Sequence, residues 1–338
     1  MIKEAIGILV SGRSLTVEEA ASAMEEIMEG KVTPAQLAAF ITALRIKGET
    51  ADEITGLARV MRAKAIPVPI AEPVIDVVGT GGDYLNTFNI STAAAFVAAG
   101  AGLKVAKHGN RAISSHCGSA DVLERLGIKI ALGADAVAEC LETVGIGFMF
   151  APIFHPAMKY AAAPRHEIGI RTVFNILGPL TNPAKAEYQV LGVPNEELGE
   201  KIASALHRLG TKHSLVVYGI DGMDEISISG RSLIWDVTEY GVSKPCEICP
   251  EDFGFKRGNM TEVKGGTPEE NAETLRRILN GEGAAKRDIV VMNAAAALVA
   301  GNRASDFREG THIAEKVIDS GQAWAKLDEL INFSQNIA

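Results

Sequence analysis

Aromatic side chains make up only 5% of this 338-residue chain, and cysteine occurs four times. So few thiols in so long a chain cannot form a disulfide framework, so the fold must rest on packing. No apolar run approaches the roughly 20 residues that a spanning helix needs. The opening stretch MIKEAIGILV is too short and too interrupted for a signal peptide. A soluble, cytoplasmic protein without membrane contact is expected. Positive charge is also short: 33 Lys and Arg against 42 Asp and Glu leave a net charge of −9. That balance gives a nucleic-acid partner no electrostatic support. Repeats and low-complexity tracts are absent. What is abundant is Ala, Val, Ile and Leu, within a hydrophobic share of 47%, and this suits helices packed on a parallel sheet.

Two grammars divide the chain. Residues 1–65 read as helices only, with three capping boxes: Thr16 with Glu19, Thr33 with Gln36, and Thr50 with Glu53. In each, the hydroxyl accepts the backbone N–H three residues on, and the Glu or Gln reaches back. Pro34 falls at a first helical position, where a missing N–H costs nothing, and Gly48 stops that helix. The proline-broken AKAIPVPIAEP then reads as a linker, and from Val74 apolar strands alternate with helices. That alternation implies βαβ units. The fold class expected is α/β: a small all-helical domain over 1–70, with a contribution from about 155–180, beside an α/β domain over 71–338 with a mainly parallel sheet flanked by helices. Three C-terminal helices are expected, the last over THIAEKVIDSGQAWAKLDELINF.

DVVGTGGDYLNTFNIST, Asp76–Thr92, places Gly79, Gly81, Gly82 and Asp83 at the end of a strand candidate. Ligands of open parallel sheets bind there, and glycines let backbone N–H groups face an anion with no Cβ in the way. Asn89, Ser91 and Thr92 open the next helix, where unpaired N–H groups favour phosphate. No Lys follows the glycines as in a P-loop, and the spacing is not G-x-G-x-x-G, so the common nucleotide folds do not apply. After the next strand, Lys107, His108, Asn110 and Arg111 cluster with Ser114, Ser115 and Ser119, a mixture of charge and hydroxyls suited to phosphate. Gly118-Ser119-Ala120-Asp121 leads into a second helix N-terminus. His155 and Arg165 lie ten residues apart, close enough for neighbouring segments to converge, and Arg suits a carboxylate. Asp224 and Glu225 follow a strand; they are either a solvated turn or, beside a diphosphate, oxygen ligands for Mg²⁺. Cys246-x-x-Cys249 lacks a second ligand pair at zinc spacing, and Met149 and Met158 read as core.

These motifs, in this order, with APRHEIGIRTVFNILGPLTNP and the helical N-terminal segment, resemble the anthranilate phosphoribosyltransferases over nearly the whole chain. The resemblance implies a pentosyltransferase that moves a phosphoribosyl group from phosphoribosyl pyrophosphate to anthranilate, in tryptophan biosynthesis. It places phosphoribosyl pyrophosphate against Gly79, Gly82, Asp83, Thr87, Asn89, Ile90, Ser91, Thr92, Lys107, His108, Gly109, Asn110, Arg111, Ser114, Ser115 and Ser119. Anthranilate would meet Gly79, His108, Asn110, His155, Arg165 and Gly178. Up to two Mg²⁺ per subunit would be held by Ser91, Asp224 and Glu225, and the chain would pair as a homodimer through its helical domain. No catalytic residue is certain; His108 is a weak candidate for proton acceptor. At His116 the pattern expects Lys or Arg, so a positive charge near the phosphates is weakened. The alternatives are a nucleoside phosphorylase on the same fold, which would not need Arg165, and a nucleic-acid-binding relative, which the net charge opposes.

Overall fold

The computed structural model describes residues 1–112 and 117–337. Four helices open the chain: α1 (Ile2–Val10), α2 (Val17–Met28), α3 (Pro34–Lys47) and α4 (Ala51–Lys64). All three capping boxes form, each with both of its hydrogen bonds, Pro34 stands at the start of α3, and Gly48 ends it at φ 84°. Each cap contributes about 1 kcal/mol. Glu53 does more than cap. Fully buried, it also accepts the Leu15 N–H at 2.9 Å and pairs with Lys47 at 2.9 Å.

After the linker come β1 (Ile75–Gly79), α5 (Ile90–Gly100), β2 (Val105–Gly109), α6 (Ser119–Leu126), α7 (Ala134–Thr143) and β3 (Ile146–Phe150). An excursion through α8 (Ala151–Phe154), α9 (Lys159–Ile168) and α10 (Val173–Leu177) returns to β4 (Tyr188–Gly192), α11 (Glu196–Arg208) and β5 (His213–Gly219). A meander of β6 (Ser232–Thr238), β7 (Gly241–Val242) and β8 (Cys246–Ile248) precedes α12 (Pro268–Leu279), α13 (Ala284–Ala300), α14 (Phe307–Asp319) and α15 (Gln322–Asn336). The last predicted helix is therefore two. Gly321 adopts φ 76° between α14 and α15, so there are four C-terminal helices where three were expected.

The sheet order is β3-β2-β1-β4-β5-β6-β7, with β8 also on β6. β1 to β5 pair in parallel, and β6 to β8 add antiparallel pairings at one side. The chain lays β2 and β3 to one side of β1 and then β4 and β5 to the other, so the order reverses between β1 and β4. That reversal opens a crevice beyond the carboxyl ends of these strands, where Gly79 and Gly192 are register partners.

Packing explains the shortage of rings. Residues 92–99 of α5, TAAAFVAA, are all buried, and α5 packs on β1, α13 and α15. Alanines let these axes approach closely, at the density of a protein interior. On the opposite sheet face, Leu191, Val216 and Trp235 share one core with the N-terminal helices, with α11, and with Phe174 and Leu177 of the excursion. The excursion helices α9 and α10 pack on α3, so residues 151–181 cross from the sheet to the helical bundle. Among the described residues no helix is long and apolar enough to cross a membrane.

Candidate active site

One cavity of about 610 Å³ opens over the β1/β4 crevice. Every described residue that the sequence assigned to a ligand lines it, from Gly79 to Glu225. Ser114, Ser115 and His116 lie outside the described residues. His155 and Arg165 come from the excursion, so the two halves of the sequence reading meet in one space. Met149 is core, as expected, but Met158 is a correction: it is only partly buried, packing against the helical-side core from a short 3₁₀ turn at 156–158 while also lining the cavity.

The floor is built on glycine. A Cβ on Gly79 would overlap the Asp224 carboxylate, and one on Gly192 would overlap the Asp224 carbonyl. Asp224 therefore rests on two strand ends that must lack side chains. Its Oδ2 accepts the Gly81 N–H at 2.7 Å, while Glu225 Oε1 accepts the Ser91 N–H at 3.1 Å at the start of α5. The next residue, Ile226, is clamped by the buried Asn293 amide of α13, which accepts its N–H at 3.0 Å and donates to its carbonyl at 3.2 Å. The solvated-turn reading fails here: Asp224 and Glu225 are 8% and 7% exposed. Burial first, and repulsion from Asp83 and from each other next, raise both carboxyls far above the ordinary carboxylate range.

Lys107 is the buried counter-charge. It is 3% exposed, and its ammonium donates to the Val77 carbonyl at 2.6 Å and reaches Ser91 Oγ at 3.5 Å. Burial lowers its pKa, and the neighbouring Asp76 and Glu225 carboxylates oppose that. Asp76, fully buried and pushed up to about 6, accepts from Asn182 at 2.8 Å and from the His108 N–H at 3.4 Å. It ties β1 to the strand that carries Lys107.

His108 and His155 lie side by side with ring centroids 5.0 Å apart and their planes tilted by 46°. Nδ1 of His108 lies 3.2 Å from the Gly178 carbonyl, an acceptor only, so that nitrogen carries the proton and Nε2 is left as a bare, buried lone pair. Burial pushes His108 down to about 3 and His155 to about 4. Both are neutral at pH 7, and His108 is a poor base.

This burial has a measurable consequence. Unfolded histidine titrates near pH 6.5, so between there and about 3 to 4 the unfolded chain holds more protons and stability falls as pH drops. Each histidine contributes up to about 1.4 kcal/mol per pH unit in that window. The buried carboxylates, with raised values, act in the opposite direction. The difference between wild-type and His155→Gln melting curves therefore isolates the imidazole: the variant should lose less stability between pH 6.5 and 5. Parallel curves would refute the neutral assignment.

Arg165 stands 5.1 Å over the Phe174 ring, half-buried, with no carboxylate in ion-pair reach among the described residues. Burial lowers its pKa, which marks a cation short of partners. Arg111 lines the cavity too, but its guanidinium is engaged by Glu124 and Asp121. The second helix N-terminus is likewise engaged: Asp121 Oδ2 accepts the Gly118 and Ala112 N–H groups, each at 2.9 Å.

Sequence reading missed four residues here: Asp76, Asn182, Asn293 and Arg171. Only Asn293 left a local signal, an amide inside the apolar run IVVMNAAAALVA.

Residues 71–324 match the glycosyl transferase family a/b domain, and residues 3–65 match the helical bundle domain of the glycosyl transferase family. Anthranilate phosphoribosyltransferase of Dehalococcoides mccartyi is 60% identical over 339 residues, spanning 100% of this chain and 99% of that protein. The crystal structure of the Thermus thermophilus anthranilate phosphoribosyltransferase superposes with a TM-score of 0.92 at 43% identity, covering 98% of this chain and 99% of that one. The Saccharomyces cerevisiae enzyme, in complex with phosphoribosyl pyrophosphate and Mg, gives 0.91 at 30% identity over 99% and 98%. With a glycine floor, a buried lysine and a carboxylate pair gathered at the sheet's reversal point, and with relatives this similar over its full length, the chain belongs to the anthranilate phosphoribosyltransferase family.

Proposed function

We propose that this chain transfers the 5-phosphoribosyl group of phosphoribosyl pyrophosphate to the amino group of anthranilate, releasing pyrophosphate. The observation that carries this reading is the meeting, in one cavity, of a phosphate-type floor with Arg165, which has no carboxylate partner among the described residues. Displacing pyrophosphate from C1 of the ribose leaves positive charge on the sugar and negative charge on the leaving group. No protein nucleophile is needed. The loop 79–83, the start of α5 and Lys107 stabilise the departing charge, and the excursion holds the amine in line with C1. An arylamine is neutral at pH 7 and attacks without prior deprotonation. The arylammonium it becomes is acidic enough to release its proton to water, so His108 need not act as a base.

The site fits a hard divalent cation. Asp83 Oδ2 is buried without a hydrogen-bond partner, Asp224 and Glu225 repel each other, and Ser91 adds a hydroxyl beside them. All of these donors are hard oxygens, the ligand type Mg²⁺ takes beside waters and substrate oxygens. Ser91, Asp224 and Glu225 would hold up to two ions per subunit. When bound, Mg²⁺ supplies positive charge to the pyrophosphate oxygens.

The same reading puts a helical domain at 1–70, with help from 155–180, against an α/β domain at 71–338. It makes the protein a cytoplasmic homodimer through its first helices, where Val10 and Ile46 are 74% and 82% exposed. The test is the loss of anthranilate fluorescence on adding phosphoribosyl pyrophosphate and Mg²⁺, with and without EDTA. A metal-dependent loss supports the reaction, and none in the intact protein refutes it. Arg165→Ala should raise the KM for anthranilate about 10- to 100-fold with a smaller change for phosphoribosyl pyrophosphate, since a charge-assisted bond is worth about 1.5–3 kcal/mol. Equal changes for both substrates would remove Arg165 from the acceptor.

A further inference from the structure

Arg171 lies in the excursion, six residues beyond Arg165, yet its guanidinium reaches the glycine loop. Nη2 donates to the Thr80 carbonyl at 3.1 Å and to the Gly81 carbonyl at 2.7 Å. The guanidinium fills the space that a Cβ on Gly82 would need, and Gly81 and Gly82 turn there at φ 66° and 87°. In a planar trans peptide the C=O and the N–H point in opposite directions. Fixing the Thr80 carbonyl on the guanidinium therefore fixes the Gly81 N–H on the opposite side, and that N–H is the one on Asp224 Oδ2 at 2.7 Å. Fixing the Gly81 carbonyl at 2.7 Å fixes the direction of the Gly82 N–H in the same way, away from the guanidinium. This second N–H has no partner among the described residues.

We infer that Arg171 is a positioning residue of the reaction: by gripping two loop carbonyls, it sets the Gly82 N–H for the substrate's diphosphate and keeps the Gly81 N–H on Asp224. This rests on the phosphoribosyl-transfer reading. It also links the two substrates, because one segment carries both the acceptor's Arg165 and the loop's Arg171. Glycine is required at 82 for two separate reasons, the positive φ and the guanidinium lying against it.

The experiment measures phosphoribosyl pyrophosphate binding by calorimetry with Mg²⁺, together with steady-state kinetics, on wild type, Arg171→Gln and Arg171→Lys. We expect Arg171→Gln to raise both Kd and KM for phosphoribosyl pyrophosphate about tenfold, with the KM for anthranilate within twofold. Arg171→Lys should recover part of the loss, since an ammonium can still donate to the same carbonyls. A folded Arg171→Gln protein with Kd within twofold of wild type would overturn the inference. If neither variant folds, hydrogen exchange on the wild type decides: the Gly82 amide should be protected at least tenfold by phosphoribosyl pyrophosphate and Mg²⁺, and an unprotected amide overturns it. A wild type that binds no phosphoribosyl pyrophosphate would refute the functional reading itself, a result distinct from either of these.

Discussion

Asp224→Asn combined with Glu225→Gln is expected to lower kcat/KM about 10³-fold or more while leaving the free protein at least as stable as wild type. Removing one preorganised group at a developing charge costs about 10²–10³ in rate, and here the same change also removes two of the proposed cation ligands. The stability arm has the opposite sign because these carboxyls are buried and mutually repelling. In the unfolded chain they titrate in the ordinary range; in the folded chain they are raised to about 7 and about 8. Ionising them in place weakens the fold as pH rises through that interval. The amide oxygens of the variant can still accept the Gly81 and Ser91 N–H groups, so little packing is lost. Thermal melts at pH 6 and pH 9 alongside kinetics give the answer. A variant that loses activity only in proportion to a falling melting temperature would contradict the assignment of the pair to function.

Gly192→Ala is the second large effect. A methyl group there would overlap the Asp224 carbonyl, which is backbone and cannot rotate away. Overpacking a tight interior costs about 1–3 kcal/mol and occasionally more, and this site stands at the upper end because the strand end or the 219–226 loop must move. Activity should fall with it, since Asp224 moves whichever one yields. Gly7→Ala is the control: nothing lies within 4 Å of its added Cβ, in the middle of α1. There alanine should be neutral or stabilising by up to about 1 kcal/mol. If Gly192→Ala melted with Gly7→Ala and retained full activity, the glycine floor would not be what seats Asp224.

How much of this was written locally follows from the range of each interaction. The capping boxes were legible because Thr16, Thr33 and Thr50 complete their bonds within three residues. The glycine loop and the basic loop were legible because each follows a strand and opens a helix within one short stretch. The burial of Asp224 and Glu225 was not, since it depends on two glycines 113 residues apart in the chain, Gly79 and Gly192, brought side by side as register partners. Asn182 and Arg171 act across the 90 or more residues that separate them from Asp76 and Gly81. The ion pairs of Arg111 were not legible for a related reason: its partners Asp121 and Glu124 are close in sequence, but they lie on the next helix and become neighbours only once the loop turns. The break at Gly321 was overlooked although the pattern carried it: the buried positions Ala314, Val317 and Ile318 of α14 do not continue in helical phase into Ala323, Leu327 and Leu330 of α15.

The alanine-packed α5 bears on how this enzyme could be retargeted. The proposed donor site is anchored to that helix, which is enclosed on its flanks by sheet and helices and has no slack. The proposed acceptor site rides on a 31-residue detour between two strands, whose wall includes half-exposed side chains such as Met158. Directed evolution toward other arylamines should therefore accumulate changes along that detour. The diphosphate floor would tolerate almost none.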